Sequence, residues 1–360
     1  MAQINDWLTI DRLNGRGNST ITLTAKYFNA FEDRNVSLNV KTKTSTKSSI
    51  LNLKQVFPEY PPNNQIWYKT KDGYSIEPWQ GSGEDEWTKN KIISSTYRNG
   101  LGIITFANDI TMIGDTAFQR KSNLVSIYIP DSVTEIHGTA FVNCTSLTTV
   151  HLGNGVTSLN GFDGCTSLTE ITIPDGVTYL DGFSDCTSLT SITIPDSVTE
   201  IGAGAFFRCS KLTNVSLGSG ITVLSQSMFG YCTSLVSITI PDSVTEIDRM
   251  AFQGCESLVS ITIPDSVTKI DISSFSYCTS LTSIIIGSGV TSIIEGAFYN
   301  CTNLNSITCK GTIAPDLDDY YPVFKNIKDG GTLYYPSGSD YSEWLAYGNL
   351  GKFNWTGVPY

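Results

Sequence analysis

The residues of this chain with the most chemistry to offer are its nine cysteines. Eight of them, Cys144, Cys165, Cys186, Cys209, Cys232, Cys255, Cys278 and Cys301, follow one another at intervals of 21, 21 and then 23 residues. Recurring thiols serve as metal ligands, as disulfide partners or as small apolar fillers. Metal sites favour close pairs such as C-x-x-C, which the sequence lacks, and an odd total leaves at least one thiol unpaired. Each recurring cysteine stands at the same place in an apolar rhythm, where a free thiol behaves as a small hydrophobe. The expectation is a buried thiol ladder that holds no metal, and Cys309 joins it because it falls where Ile194, Ile240 and Ile263 stand in earlier units.

Other candidate chemistry is sparse. The only two histidines, His137 and His151, occupy different columns of adjacent units, and the chain contains no G-x-S-x-G, H-E-x-x-H or phosphate-binding glycine loop. Catalysis requires a converging acid, base or nucleophile with a supporting shell, so the chain reads as a non-enzyme with no catalytic residues and no cofactor. Asp131, Asp175, Asp196, Asp242 and Asp265 form an acidic column. Calcium needs six or more oxygens around one ion, whereas these aspartates stand singly, each directly after a proline, where turn chemistry accounts for them.

The elements that carry these residues are repeats. The copy CTSLVSITIPDSVTEIDRMAFQG, Cys232 to Gly254, has apolar residues at Cys232, Leu235, Ile238, Ile240, Val244, Ile247, Ala251 and Phe252. Neither a helix nor a two-sheet sandwich has that spacing, and a fixed period of this length marks a solenoid. Leu235 to Ile240 spells L-x-x-I-x-I, a strand with alternate side chains pointing inward. Pro241-Asp242-Ser243 turns the chain, and Val244 to Phe252 is too short for a long helix, so it reads as a second short extended segment followed by a tight turn. One coil alone cannot bury enough apolar surface to offset its chain entropy. The coils must therefore stack, and the ends of the stack need caps.

Eight such repeats fill residues 121–300, the first with Lys121 in the place of cysteine. Residues 65–120, which contain Trp67, Tyr68, Trp79, Trp87, the stretch Ile103–Phe106 and a degraded first coil over Ile113–Phe118, are assigned to an N-terminal cap. Residues 301–360 hold a terminal repeat and an aromatic C-terminal cap, with Leu333–Pro336 as a closing strand and a short helix over Tyr341–Tyr347. Residues 1–56 read as a small β module with alternating segments at Thr20–Thr24, Val36–Val40 and Ile50–Leu53, joined by a proline-rich linker over 57–64.

Composition narrows the partners. With 34 acidic residues against 23 basic ones the net charge is −11, and the lysines are scattered, so the electrostatic footprint of a nucleic-acid binder is missing. No uninterrupted apolar run reaches the length of a membrane span. The start, Met1-Ala2-Gln3-Ile4-Asn5-Asp6-Trp7, lacks the basic and apolar segments of a secretory signal. That observation favours a virion surface component released by lysis, with a bacterial cell surface as the alternative.

The unit I-P-D-S-V-T-x-I-x-x-x-A-F-x-x-C-x-S-L resembles the BspA-type leucine-rich repeat over roughly residues 101–310. The resemblance implies a mainly β, right-handed leucine-rich-repeat solenoid, as in gut Bacteroidetes surface proteins that adhere to host proteins and other cells. Asp6–Ile10 and Gly15–Ala25 are similar to the C-terminal half of a BACON domain, an Ig-like module also found in phages of these bacteria. The opening strands of that family are missing, which leaves the module incomplete unless a neighbouring chain, such as an adjoining virion subunit, supplies a strand.

The expected function is recognition of a protein or glycan on a partner surface, as a phage tail or capsid component contacting its host, as a BspA-like adhesin, or as a carbohydrate-binding accessory module. Most outward places on the strand face carry threonine and serine. Tyr128, His151, Glu170 and Tyr179 give the N-terminal third more chemical variety and mark it as the expected contact region. Trp79 and Trp87 are added as residues that would stack on sugar rings, against the alternative that cap aromatics cover the terminal coil.

Overall fold

Alternation of apolar and polar residues in the L-x-x-I-x-I stretch drives one side of each strand into the coil, and the stacking of coils joins these strands into a parallel sheet. A computed structural model describes residues 61–81, 86–317, 322–346 and 349–360, and within residues 1–60 the backbone of five short strands alone. Leu124–Tyr128 pairs in parallel with Thr149–His151, Ser191–Thr193 with Asn214–Ser216, and Ser260–Thr262 with Ser283–Ile286, Ser306–Cys309, Thr332–Tyr335 and Thr356–Pro359 in turn. Pairing lapses at Glu170–Thr172 and Ser237–Thr239, where buried Ile171 and Ile238 keep the chain in line without the ladder. We call this surface the strand face.

The Val-Thr-x-Ile segment builds a second parallel sheet, from Met112–Ile113 through Glu135–Ile136, Ser158–Leu159 and Tyr179–Leu180 to Glu200–Ile201, and again from Val223–Leu224 to Asp316–Leu317. The threonine column beside it adds side-chain bonds between coils, as in Thr157 Oγ1 to Thr134 O and Thr268 Oγ1 to Thr245 O. The third side is a run of turns, also bonded coil to coil, with Phe206 N on Met228 O and Phe229 N on Ala251 O. All three sides of the coil thus bond backbone to backbone with neighbouring coils, except where the strand pairing lapses.

Inside the third side runs a phenylalanine ladder. Phe118, Phe141, Phe162, Phe183, Phe206, Phe229, Phe252, Phe275, Phe298 and Phe324 stack with centroids 4.9 to 5.7 Å apart and planes within 19° of parallel. Each end is closed by a tilted tryptophan, Trp87 against Phe118 at 56° and Trp344 against Phe324 at 56°. Both indoles find carbonyl acceptors, Trp79 O for Trp87 and Pro315 O for Trp344, which lets a polar N–H sit in an apolar plug.

The coils starting at Cys144 and Cys165 are shorter because two residues are lost between the second strand and the phenylalanine. The corner is then turned by Gly161 and Gly182, at φ +90° and +77°. A Cβ on Gly161 would lie 2.2 Å from His137 O, and one on Gly182 would lie 2.4 Å from Gly161 N. Only glycine fits a corner this tight.

At the N-terminal end the strand face continues in antiparallel sense through Gln65–Thr70, Leu101–Phe106 and Ile92–Arg98. Gly102 is needed there because a Cβ would meet the Tyr68 ring at 2.2 Å. At the C-terminal end, Thr332–Tyr335 is followed by one more parallel strand, Thr356–Pro359, so it does not close the sheet as the sequence suggested. Tyr341–Ala346 forms turns rather than a helix, since Trp344 and Tyr341 are drawn onto the last coil, where the Tyr341 hydroxyl donates to Gly311 O. In residues 1–60, Ala2–Gln3, Leu8–Ile10 and Leu23–Ala25 form an antiparallel sheet and Arg34–Lys41 pairs with Ser48–Gln55. The BACON-like packing expected of this segment lies outside the described residues, as do residues 57–60 of the expected linker.

Candidate recognition surface

Parallel pairing in strict register puts equivalent residues of successive coils side by side, so a chemically distinct patch arises wherever neighbouring coils depart from threonine. Tyr128 and His151 are register partners, and their rings stack at 3.9 Å with planes 17° apart. On the other side Tyr128 is paired with Trp67 of the antiparallel strand. Trp67, Tyr128 and His151 are therefore in register across three adjacent strands, with Trp67 buried and the Tyr128 and His151 rings half-buried. Trp67 donates Nε1–H to Gln65 Oε1, 2.9 Å away, and Lys69 stands opposite Ser126 two residues further along.

Partial burial, followed by the charge of Lys69, lowers the pKa of His151 from its ordinary value. Burial also raises the Tyr128 phenol, which remains a hydrogen-bond donor. Glu170 is exposed in the next coil, in the stretch where strand pairing lapses.

Two of the six expected contact residues, Tyr128 and His151, are thus brought together. Tyr179 is not with them: it belongs to the second sheet, between Ser158 and Glu200, with its hydroxyl on Asp181 Oδ2 at 3.3 Å. Its column is the Val-Thr-x-Ile segment, which the coil carries on another side. Trp87 is corrected too, since it is only 2 % exposed and plugs the phenylalanine ladder, leaving no ring face for a sugar. Trp79 is 58 % exposed on the cap, away from the strand register. The residue that sequence reasoning missed is Trp67. It shares the outward register of the strand Gln65–Thr70 with Lys69, but at 7 % exposed it flanks Tyr128 without offering a ring face of its own.

Further along, shallow grooves of about 250 and 400 Å³ flank Ser237–Thr239, lined by serine, threonine and Asn214, with the Lys310–Asp265 ion pair (3.6 Å) at one rim. The acidic column takes part in turns. Asp131 Oδ1 accepts Asn154 N, Asp196 Oδ1 accepts Ser219 N and Asp265 Oδ1 accepts Ser288 N, all at 2.7 to 2.8 Å. Each such aspartate precedes a coil whose turn reads Gly-x-Gly, and a Cβ on Gly153 or Gly218 would clash with the preceding proline carbonyl at 2.4 Å. Among the described residues no three His, Cys, Asp or Glu side chains converge as metal ligands would. His137 faces Asp115 and Glu135, at 3.6 and 3.4 Å, away from His151. The described thiols are all free and buried.

The model of the BspA-type leucine-rich repeat region matches six copies over residues 90–209, 160–271 and 224–321, a span wider than half of the chain. The chain belongs to the BspA-type leucine-rich repeat family. No curated protein matches it significantly by sequence. Solved structures similar to this BspA-type chain include a leucine-rich repeat protein from Bacteroides ovatus, at 23 % identity over 73 % of this chain and 90 % of that one, with a TM-score of 0.42. A leucine-rich cell surface protein from Faecalibacterium prausnitzii is 32 % identical over 49 % of this chain and 69 % of that one, with a TM-score of 0.33. The pneumococcal vaccine antigen PcpA is 17 % identical over 64 % and 66 %, with a TM-score of 0.44. BspA-type membership gives the mainly β solenoid, and among the described residues no helix is long and apolar enough to cross a membrane.

Proposed function

We propose that this BspA-type solenoid is a non-catalytic recognition protein that adheres to a protein or glycan on a partner surface through the N-terminal end of its strand face. The observation that carries the reading is the stacked pair Tyr128 and His151, two half-buried rings on a face made mostly of serine and threonine. Rings stacked on each other across paired strands lose little freedom on contact, which favours binding. The Lys69 ammonium beside the pair and the Glu170 carboxylate of the next coil supply charges of both signs for orientation.

Surface adhesion is the role consistent with the family. The setting we propose is an external surface, that of a bacterial cell or of a virion, with the N-terminal segment as the attachment to neighbouring subunits in the second case. Mass spectrometry of purified virions and of surface-shaved cells distinguishes the two. For the contact itself, binding of the intact protein to whole bacterial and host cells is compared with that of Tyr128→Ala and His151→Ala. A loss of binding with an unchanged melting temperature supports the reading, and undiminished binding by both variants overturns it.

A further inference from the structure

A second patch lies on the turn side of the coil, far from the strand face. Four coils place Phe207, Tyr231, Tyr277 and Tyr299 along one ridge parallel to the solenoid axis, with the coil of Gly254 between the two pairs. They meet in two edge-on pairs, Phe207 with Tyr231 at 5.5 Å and 87°, and Tyr277 with Tyr299 at 5.4 Å and 66°. A cation sits over the outer ring of each pair: Arg208 is 4.9 Å from the centre of Phe207, and the Lys325 ammonium is 5.5 Å from that of Tyr299. Tyr231 and Tyr277 are 38 % and 42 % exposed.

Glycines shape the ridge. A Cβ on Gly230 would come within 2.9 Å of the Phe207 ring, and one on Gly254 within 2.7 Å of the Tyr231 ring. Each ring therefore leans over the following coil and lies along the ridge instead of standing off it. Gly254 forms a floor between Tyr231 and Tyr277, which are two coils, roughly 10 Å, apart. Equivalent places in the two short coils carry Asp163 and Asp185, and the edge-on aromatic pairs are confined to the C-terminal half, although an exposed Arg120 occupies the Arg208 column nearer the N-terminus.

We infer that this ridge binds a linear anionic polysaccharide, with its sugar rings on Tyr231 and Tyr277 and its carboxylates or sulfates at Arg208 and Lys325. The ridge is narrow and runs four coil steps from Phe207 to Tyr299, roughly 19 Å, or five with Lys325, roughly 24 Å. That shape fits an extended chain and falls short of the roughly 800 Å² per side that a stable protein contact buries. The two cations on a chain of net charge −11 set the sign of the ligand. Glu256, exposed beside Gly254, is a local carboxylate that weakens anion binding. This site is independent of the strand-face reading.

The test uses the full chain on immobilised heparin, hyaluronan and neutral dextran, with polyglutamate as a purely anionic control. Tyr231 and Tyr277 have φ of +59° and +61°, and the same column holds Asn143, Asn300 and Asn326 at φ +61°, +58° and +56°. Asparagine is thus the replacement that the backbone accepts, and Tyr231→Asn/Tyr277→Asn retains the wild-type melting temperature. The expected result is binding to heparin or hyaluronan and not to dextran, weakened about tenfold or more by the double variant and by Arg208→Asn, and strengthened by Glu256→Gln. Heparin alone would identify sulfate as the recognised group, and hyaluronan alone carboxylate. Failure to bind either polysaccharide, equal binding to polyglutamate, or binding untouched by the folded double variant overturns the assignment.

Discussion

Cys232 donates its thiol proton to the carbonyl oxygen of Phe206 across 3.2 Å, a contact that runs 26 residues back along the chain. The relation repeats from Cys144 on Phe118 to Cys301 on Phe275. The cysteine column therefore links the thiol of one coil to the backbone of the previous one, and burial pushes the thiols up, Cys144, Cys232 and Cys301 each to about 12. A thiol whose folded pKa lies above its unfolded value contributes stability that is full below the unfolded pKa of about 8.5 and declines as pH rises towards the folded value. The expected outcome is a melting temperature constant from neutral pH to about 8 and falling above it, at up to about 1.4 kcal/mol per pH unit for each thiol. Alkylation by iodoacetamide at neutral pH will be negligible until denaturant is added, and mass spectrometry of the intact chain checks both.

The phenylalanine ladder makes a different prediction. Phe229 is fully buried between Phe206 and Phe252. Phe229→Ala should cost about 3 to 5 kcal/mol as a cavity that the stacked coils cannot collapse. Because a solenoid coil contacts only its neighbours, the damage will divide the stack, and hydrogen exchange will show coils on either side protected to different extents.

Trp344→Ala acts at an end instead of in the middle. The indole covers Phe324 and donates to Pro315 O. Its loss exposes the last ring of the ladder, so exchange is expected to rise first in residues 298–335 while the coils before Cys255 remain protected.

How much of this was legible follows from periodicity. Leu235, Ile238, Ile240, Val244, Ile247, Ala251 and Phe252 are all buried where the repeat placed them, because register in a parallel stack is set by the same residues that fill the core. Cys309 proved equally readable, pairing with Ile286 in the strand register. The contact site was legible only in part. Tyr128 and His151 share a column, but Trp67 reaches them through an antiparallel cap strand that follows no repeat. Tyr179 was misplaced because the sides of a coil cannot be told apart by variety alone, and Trp87 because a cap residue is fixed by the coil that it covers.

The aspartate turns respond to acid. Backbone donation from Ser219 holds the Asp196 carboxyl below its ordinary value, and donation from Ser288 followed by the Lys310 charge does the same for Asp265. A depressed folded pKa contributes stability that is present above the unfolded value of about 3.9 and is lost as pH falls through the folded one. Thermal melts will therefore move down as pH drops below about 4. Asp196→Ala should flatten this dependence with little effect on the neutral-pH fold, because the carboxylate is exposed and screened. An acid slope unaltered in Asp196→Ala and Asp265→Ala together would show that these turn contacts do not couple to folding.

The short coils supply the sharpest test of backbone geometry. Gly182 turns at φ +77°, with Asp181 Oδ1 accepting its N–H at 2.7 Å and Gly161 N in the space that a Cβ would fill. A left-handed alanine costs roughly 1 to 2 kcal/mol before any clash, and the clash with backbone cannot be relieved by a rotamer change. Gly182→Ala is expected to destabilise the protein more than Gly204→Ala, a glycine at φ +73° whose Cβ would meet only the Phe207 Cβ, at 3.6 Å. Equal losses in denaturant melts would mean that left-handed strain alone sets the cost and that the two-residue deletion leaves more room than the corner at Gly182 indicates.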